Sequence, residues 1–203
     1  MRNFRILKNQ AKGLSCGQCF NLLKTVLFVN KTIEVYSQIL FGSTANVHAL
    51  LDGATIEKGD ISILSLEEQK MVPLPWEYQC HKYDAVKDFF IVKGAEGIRH
   101  ISWIYLHNQR NRILSLAEDE AEIKFSLTLP NYRGQGLYPK VLCAIMDHLY
   151  STGIKRVFIC AERNNLASIR GIEKAGFKKA GEVRLRKILG VQVSSRLDTK
   201  RIE

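Results

Sequence analysis

Residues 121–149 read AEIKFSLTLPNYRGQGLYPKVLCAIMDHL. Apolar and polar side chains alternate over Ala121–Leu129, which predicts a half-buried strand that Pro130 ends. Apolar residues then recur at helical spacing from Val141 onward, and a proline in the first turn is typical of a helix start. A strand, a glycine-containing turn and a helix therefore form the unit on which the predicted fold is built.

The same order of elements continues further along the chain. Val157–Cys160 has the composition of a strand, and Asn164–Ala175 has the spacing of a second helix, which Gly176 closes. Before the unit, Phe89–Lys93 and Ile98–Leu106 flank a Gly-Ala-Glu-Gly turn and predict a β-hairpin. The two strands joined by the first helix should run parallel, because a helix connects them. An α/β fold follows.

The remaining segments carry weaker signals. They are a helix at residues 17–29, strands at Ile33–Leu40, Ile61–Leu66 and Ile113–Leu116, and a helical turn at Asp84–Asp88. Pro73 and Pro75 mark the best candidate boundary. It separates an N-terminal part, residues 1–75, from residues 76–203. That first part is either the first strand and helices of the fold or an extension.

The turn between strand and helix has the features of an anion site. A helix start exposes unpaired backbone N–H groups and the positive end of the helix dipole. Gly134 and Gly136 permit positive φ and lack a Cβ, so several N–H groups can converge on one phosphate, and Arg133 adds a fixed charge. The turn lacks the third glycine of a dinucleotide fingerprint and the Gly-Lys-Ser/Thr of a Walker loop. It predicts phosphate binding, with an ordinary glycine turn as the alternative.

The composition is that of a folded protein with a basic second half. The chain has 203 residues and a formal net charge of +10, and residues 101–203 hold 18 Lys+Arg against 10 Asp+Glu. Such a field attracts nucleic acid, anionic lipid and phosphorylated cofactors alike. No nucleic-acid-binding signature accompanies it, and no stretch approaches the ~20 apolar residues of a membrane span. We expect a cytoplasmic protein, and nucleic acid is not the expected partner.

The five cysteines predict a reduced setting, because their number is odd in a chain too long to need disulfide stapling. Cys16 and Cys19 have the spacing of half a zinc site or of a redox pair. No second pair and no histidine at ligand spacing accompanies them. Ordinary cysteines are therefore favoured over a metal or redox site, and no metal is expected.

Two segments carry a resemblance to a known family. Arg133–Tyr138, RGQGLY, resembles the Arg/Gln-x-x-Gly-x-Gly/Ala motif with which GNAT-type N-acetyltransferases bind acyl-CoA. Asn165–Phe177 resembles the family's second segment, Asn-x-x-Ala/Ser followed by Lys-x-Gly-Phe. Glu122 stands eleven residues before the motif arginine, a spacing common in the family. The resemblance covers about residues 88–190. It implies a mixed, mostly antiparallel central sheet with a splayed parallel strand pair and helices on both faces.

The resemblance also implies how acetyl-CoA is bound. The pantetheine arm pairs with backbone groups of the first strand, the diphosphate lies over N–H groups of the turn, and the second helix flanks the arm. The implied acetyl-CoA-binding residues are Ser126, Leu127, Thr128, Arg133, Gly134, Gln135, Gly136, Leu137, Tyr138, Asn165 and Ser168. A basic second half suits such an anionic co-substrate.

The catalytic groups are only partly implied. Glu122 occupies the position of the family's general base, with a solvent-exposed strand glutamate as the alternative. Many relatives carry a tyrosine as general acid seven residues after the asparagine, where this chain has Ile172. Tyr138 departs from the small residue that the motif prefers. The open candidates for the acid are Tyr132, Tyr138, Cys160 and Glu162, and the alternative is that water protonates the thiolate without a dedicated acid.

His100 and Trp103 fall on opposite faces of one predicted strand, so one of them can face the acceptor cleft. A hydrogen-bonded histidine and a packed tryptophan are the alternative. The resemblance implies an N-acetyltransferase that moves an acetyl group from acetyl-CoA to a primary amine, namely an amino sugar, a small amine or a protein amine. The alternative is a catalytically silent CoA-binding sensor or scaffold, motivated by Ile172.

Overall fold

One sheet runs through the part of the chain that the structure describes. The computed structural model describes residues 28–42, 53–70, 74–188, 191–194 and 197–198. Within these ranges the strands are β1 (Phe28–Ile39), β2 (Thr55–Lys58), β3 (Phe89–Gly94), β4 (Gly97–Leu106), β5 (Glu120–Thr128), β6 (Arg156–Glu162), β7 (Lys178–Ile188), β8 (Val191–Ser194) and β9 (Leu197–Asp198). Their order is β2-β3-β4-β5-β6-β1-β7-β8, and β9 also pairs with β7.

Strand directions follow the predicted pattern. Strands β5 and β6 run parallel, and every other neighbouring pair in the described sheet is antiparallel. The hairpin of β3 and β4 and the parallel pair connected by a helix are confirmed. The mixed α/β fold with a mostly antiparallel sheet is confirmed as well.

Helices cover both faces of this sheet. In the described ranges they are α1 (Ile61–Lys70), α2 (Cys80–Asp84), α3 (Leu137–Ser151) and α4 (Leu166–Lys174). On one face, Val141 of α3 and Ile172 of α4 share a buried core with Ile123 of β5. On the other face, Leu64 of α1 belongs to a second core around Trp103. None of these helices is long and apolar enough to cross a membrane.

The apolar stripe of α3 fixes the position of the glycine turn. Val141, Leu142, Ile145, Met146 and Leu149 are all buried. Burying a side chain of this kind contributes about 1.5–3 kcal/mol relative to leaving it exposed. The start of α3 is therefore held firmly against the sheet, and with it the turn that follows β5.

Strand β1 lies inside the sheet, between β6 and β7. It confirms the strand predicted at Ile33–Leu40 and shows that the first part of the chain contributes to the same sheet as the rest. The helix predicted at residues 17–29 overlaps β1 in its last two residues. The remainder of that helix, together with Cys16 and Cys19, lies outside the described residues.

The strand predicted at Ile61–Leu66 was wrong, because these residues begin helix α1. The Asp60 carboxylate accepts hydrogen bonds from the Ser62 backbone N–H at 2.8 Å and from the Ser62 hydroxyl at 2.5 Å. This arrangement satisfies a donor at the helix start. An aspartate before the apolar run is a helix signal that outweighs the β-branched composition of the run itself.

Two shorter predictions were also wrong. Ile113–Leu116 forms no strand, because its first two backbone N–H groups bond to the Glu122 carboxylate instead of to a neighbouring strand. The helical turn expected at Asp84–Asp88 lies earlier in the chain, as α2. That helix ends where Ala85 adopts a left-handed φ of 55°.

Candidate active site

Strands β5 and β6 separate near the middle of the sheet. They pair from Glu120 opposite Arg156 to Ile123 opposite Ile159, whereas β5 continues to Thr128. Beyond that point, the edge of β5 that faces β6 has no strand partner among the described residues. The two strands therefore enclose a wedge that opens at their carboxyl ends, where ligands bind in α/β sheets.

A β-bulge lies just past the point of separation. On β5, Phe125 and Ser126 together oppose the single residue Ser102 of β4. Phe125 has a φ of 52°, a conformation that costs a non-glycine residue of order 1–3 kcal/mol. Such strain persists only where the surrounding structure holds the residue in place. Here the strained residue comes directly before Ser126, which lies in the wall of the wedge.

Backbone groups of Ser126 and Thr128 point into the wedge. The Leu129 N–H donates to the Arg99 carbonyl at 3.0 Å, which makes Thr128 a non-hydrogen-bonded position of the β4–β5 ladder. Backbone groups alternate in direction along a strand. Those of Ser126 and Thr128 therefore face away from β4, and those of Leu127 face towards it.

The turn between β5 and α3 forms an open helix start. Gly134 and Gly136 have φ of 78° and 70°, and no described atom within 4 Å would meet a Cβ on either. Helix α3 begins at Leu137, and among the described residues no side chain caps it. Its first N–H groups are therefore available to an anion. Arg133 lies exposed beside them, with its Nε donating to the Thr128 carbonyl at 3.1 Å.

A cavity of about 700 Å³ joins the wedge to this helix start, a volume typical of small-molecule sites. Ten of the eleven residues predicted to bind acetyl-CoA line it. The eleventh, Gln135, does not, and its Nε2 donates to the Asn131 carbonyl at 3.4 Å. The lining residues that the binding prediction did not include are His100, Tyr132, Pro139, Ala167, Arg170, Gly171 and Lys174.

One face of α4 forms the opposite wall of the cavity. That face consists of Ala167, Arg170, Gly171 and Lys174, which are spaced three and four residues apart. The two cations are exposed. The side chain of Asn165 caps this helix, because its Oδ1 accepts from the Ser168 N–H at 3.2 Å. Arg170 and Lys174 are four residues apart, and this spacing in the sequence could have indicated that both cations lie on one helix face.

The Tyr138 ring lies between the sheet and α4. Its centroid is 5.6 Å from that of His100. On the other side, a Cβ on Gly171 would lie 2.5 Å from Cδ1 of the ring. The phenol hydrogen-bonds with the Ser126 hydroxyl, and burial raises the pKa of Tyr138 above its ordinary value. Tyrosine fits at this motif position because α4 has a glycine where the ring needs space.

His100 is fully buried beside this ring. Its Nδ1 is 2.6 Å from Oγ1 of Thr128 and its Nε2 is 2.8 Å from Oγ of Ser102, which donates to the Ser126 hydroxyl at 2.7 Å. Burial lowers the pKa of His100 to about 3, so the ring is neutral at neutral pH. Of the two residues predicted on opposite strand faces, His100 lines the cavity and Trp103 packs in the core of the other face.

Glu122 lies on the paired part of β5 and is not among the residues that line the cavity. Its Oε2 accepts from the N–H groups of Ile113 and Leu114 at 2.9 and 3.2 Å, and its Oε1 lies 3.3 Å from the Ile113 N–H. Burial raises the pKa of Glu122, while nearby Lys124 and these hydrogen bonds act to lower it. The alternative of a solvent-exposed glutamate is wrong, because the side chain is fully buried.

The other candidates for the acid are less well placed. Ile172 is buried in the core and has no proton to give. Cys160 and Glu162 are not among the residues that line the cavity. Tyr132 lines it, but its hydroxyl donates to a glutamate carboxylate at 3.0 Å. This leaves Tyr138 as the cavity phenol that faces the wedge.

Sequence and structure comparisons identify relatives. Residues 65–178, more than half of the chain, match the acetyltransferase (GNAT) domain family, which confirms the resemblance seen in the motifs. Comparison with curated proteins gives no match.

Solved structures share the fold. A GNAT-family acetyltransferase from Colwellia psychrerythraea is 19% identical with a TM-score of 0.53, and the alignment covers 77% of this chain and 55% of that one. A GCN5-related N-acetyltransferase from Sphaerobacter thermophilus is 14% identical with a TM-score of 0.53, covering 90% and 60%. AAC(6')-Ib in complex with ribostamycin and coenzyme A is 16% identical with a TM-score of 0.52, covering 73% and 94%. The chain spans less than two thirds of the length of the first two proteins. With its motifs, its family match and this shared fold, the chain belongs to the GNAT acetyltransferase family.

Proposed function

We propose that this protein is an N-acetyltransferase that moves the acetyl group of acetyl-CoA to a primary amine. One observation carries the proposal. Among the residues that the structure describes, the start of α3 has no side-chain cap and the β6-facing edge of β5 has no strand partner past Ile123, and both open into one cavity of about 700 Å³. An anion site next to open backbone groups suits a ligand that combines a diphosphate with an amide-bearing arm.

The residues of the cavity fit coenzyme A in three places. The first N–H groups of α3 and the charge of Arg133 are available to the diphosphate. The wedge-facing Ser126 carbonyl and Thr128 N–H suit the amides of the pantetheine arm, because the Thr128 carbonyl already accepts from Arg133. Arg170 and Lys174 on the α4 face add positive charge for the remaining phosphate.

Acetyl transfer needs a neutral amine, a polarised thioester and a proton for the departing thiolate. The Ser126 N–H faces the wedge and is suited to bond the thioester oxygen as negative charge develops on it. Glu122 is our proposed base, acting through water. Within the described part of the chain, its Oε1 has one hydrogen-bond contact, 3.3 Å from the Ile113 N–H. Its raised pKa makes it a better proton acceptor than an ordinary glutamate.

Matched glycine variants test acetyl-CoA binding. Gly136 and Gly153 both have positive φ, 70° and 89°, and both would place a new side chain in open space. Leucine at either position should therefore strain the backbone similarly, by about 1–2 kcal/mol. By isothermal titration, Gly136→Leu should abolish acetyl-CoA binding and Gly153→Leu should retain it. Absence of heat and of a melting shift with the wild-type protein would contradict the proposal.

A panel of amines then separates the enzyme from the silent sensor, the second candidate, which the buried apolar Ile172 favours. Release of CoA thiol is followed with glucosamine, spermidine and a lysine-containing peptide, one for each acceptor class. Turnover with one amine, lost in Glu122→Gln while acetyl-CoA still binds, supports the enzyme. Tight binding with no turnover on any amine supports the sensor.

A further inference from the structure

A chain of hydrogen-bonded side chains lies along the wall of the cavity, and four of its five members line that cavity. It runs from the Thr128 hydroxyl to the His100 ring at 2.6 Å, from that ring to Ser102 at 2.8 Å, and from Ser102 to Ser126 at 2.7 Å. The Ser126 hydroxyl in turn bonds with the phenol of Tyr138. These five side chains come from β4, β5 and α3, and the helix-start anion site makes no use of this chain.

The donors and acceptors of this chain can be assigned in one consistent direction. Ser102 uses its only proton to bond Ser126, so it accepts from Nε2–H of His100, and Nδ1 of the neutral ring accepts from Thr128. Ser126 has already accepted one bond and can donate its own proton to the phenol oxygen of Tyr138. The phenol proton of Tyr138 is then left to point at whatever occupies the cavity.

The position of this phenol relative to the wedge is defined on both sides. The Tyr138 ring lies 5.6 Å from the His100 ring, and the missing Cβ of Gly171 makes room for it on the α4 side. Its partner Ser126 is three residues beyond Ile123, where β5 and β6 stop pairing. A ligand whose diphosphate sits at the start of α3 and whose arm follows β5 brings its far end towards that point.

We propose that Tyr138 gives its phenol proton to the sulfur of the departing coenzyme A, and that the hydrogen-bond chain returns a proton to it. This inference rests on the proposed acetyl-CoA binding. The amine nitrogen attacks the carbonyl carbon, the C–S bond breaks with its electron pair on sulfur, and sulfur takes the Tyr138 proton. The amine proton leaves through the base Glu122.

Protons then shift by one place along the chain, and every member ends neutral. Ser126 gives a proton to Tyr138, Ser102 gives one to Ser126, and Nε2 of His100 gives one to Ser102. Nδ1 of His100 receives the proton of Thr128, which is restored from solvent, so the ring changes only its tautomer. The buried imidazole suits this task because it carries no charge at neutral pH.

The competing role for Tyr138 is to fill space. Phenylalanine keeps the ring and its contacts with His100 and Gly171 but removes the proton, so Tyr138→Phe separates the two roles. Ser126→Ala is the second variant, because it keeps the phenol and removes the hydroxyl that passes a proton to it. Tyr150→Phe, a half-exposed tyrosine on α3 that does not line the cavity, is the control.

The first measurement needs no acceptor amine. Thiolate formation by bound coenzyme A is followed by ultraviolet absorption as the pH is raised. A phenol that donates to the thiolate lowers the pKa of the bound thiol, so Tyr138→Phe should raise that pKa by about 1–2 units. The exposed cations Arg133, Arg170 and Lys174 also favour the thiolate, but they are common to all the variants compared.

The second measurement is turnover with an amine that the panel identifies. We expect the kcat of Tyr138→Phe to fall by about 100-fold or more, with little change in the KM for acetyl-CoA. The kcat of Ser126→Ala should fall as well. A Tyr138→Phe protein that folds and matches the wild type in thiol pKa and kcat overturns the proton-donor role. A wild-type protein that binds no coenzyme A overturns the proposed function as well, so the two failures are distinguishable.

Discussion

Replacing Gly171 with alanine tests whether Tyr138 is held where the structure places it. A Cβ on Gly171 would lie 2.5 Å from Cδ1 and 3.1 Å from Cε1 of the ring, so one of the two groups must shift. Overpacking of this kind costs about 1–3 kcal/mol, whereas alanine inside a helix gains about 1 kcal/mol over glycine. We expect Gly171→Ala to lower the free energy of unfolding by up to about 2 kcal/mol.

The same change should have the opposite sign once the ring is removed. In a Tyr138→Ala background only the helix propensity remains, so Gly171→Ala should stabilise the protein by about 1 kcal/mol. The coupling free energy between the two sites is then about 1–3 kcal/mol. Urea unfolding of the wild type, the two single variants and the double variant measures it. Glu173→Gly and Glu173→Ala, at an exposed position of the same helix, measure the difference in helix propensity between glycine and alanine alone.

Equal stabilisation by Gly171→Ala in both backgrounds would refute this reasoning. It would mean that the ring moves aside without cost and is not fixed between α4 and the sheet. The hydrogen-bond chain would then lose its last member, because a phenol without a defined position cannot deliver a proton to a defined sulfur atom.

Three further outcomes are expected. Glu34 is buried and accepts from Tyr36 at 2.9 Å, so Glu34→Ala should cost about 1–3 kcal/mol in urea unfolding, whereas Glu34→Gln, which keeps an acceptor, should cost less. Burial lowers the pKa of His100 from 6.5 to about 3, so between these pH values the unfolded chain binds a proton that the folded protein does not. The folded state therefore has its full stability above about pH 6.5 and loses at most about 1.4 kcal/mol per pH unit as the pH falls towards 3. The stability difference between wild type and His100→Asn should shrink accordingly on acidification, and a constant difference contradicts the shift. Combined Arg170→Ala and Lys174→Ala should weaken acetyl-CoA binding about tenfold, as two exposed contacts of about 0.7 kcal/mol each, and should reduce its salt dependence; unchanged affinity in titration calorimetry contradicts their role.

The strand, turn and helix that carry the proposed anion site were predictable because their signals are local and agree with one another. Period-two alternation, Pro130, two glycines and a helical stripe all lie between residues 121 and 149. Helix α1 was missed although its signal is also local. Its β-branched composition suggested a strand, and the cap supplied by Asp60 decided the outcome.

The remaining features depend on contacts between distant parts of the chain. Strand β1 pairs with β6 and β7, and no residue of β1 itself indicates those partners. The environment of Glu122 depends on a loop that precedes β5 and folds back over its carboxylate. The space for Tyr138 depends on Gly171, which reads in the sequence as an unfavourable residue inside a helix. Such long-range compensation leaves no periodic pattern for sequence reasoning to detect.

Two departures from the family motif have one structural explanation. The motif prefers a small residue where this chain has Tyr138, and many relatives carry tyrosine where it has Ile172. The Tyr138 ring starts from the first turn of α3 and lies against Gly171, the residue next to Ile172. A phenol thus enters the wedge from α3 instead of from α4. Ile172 is buried in the core against which the same ring packs, and an apolar side chain suits that position of α4.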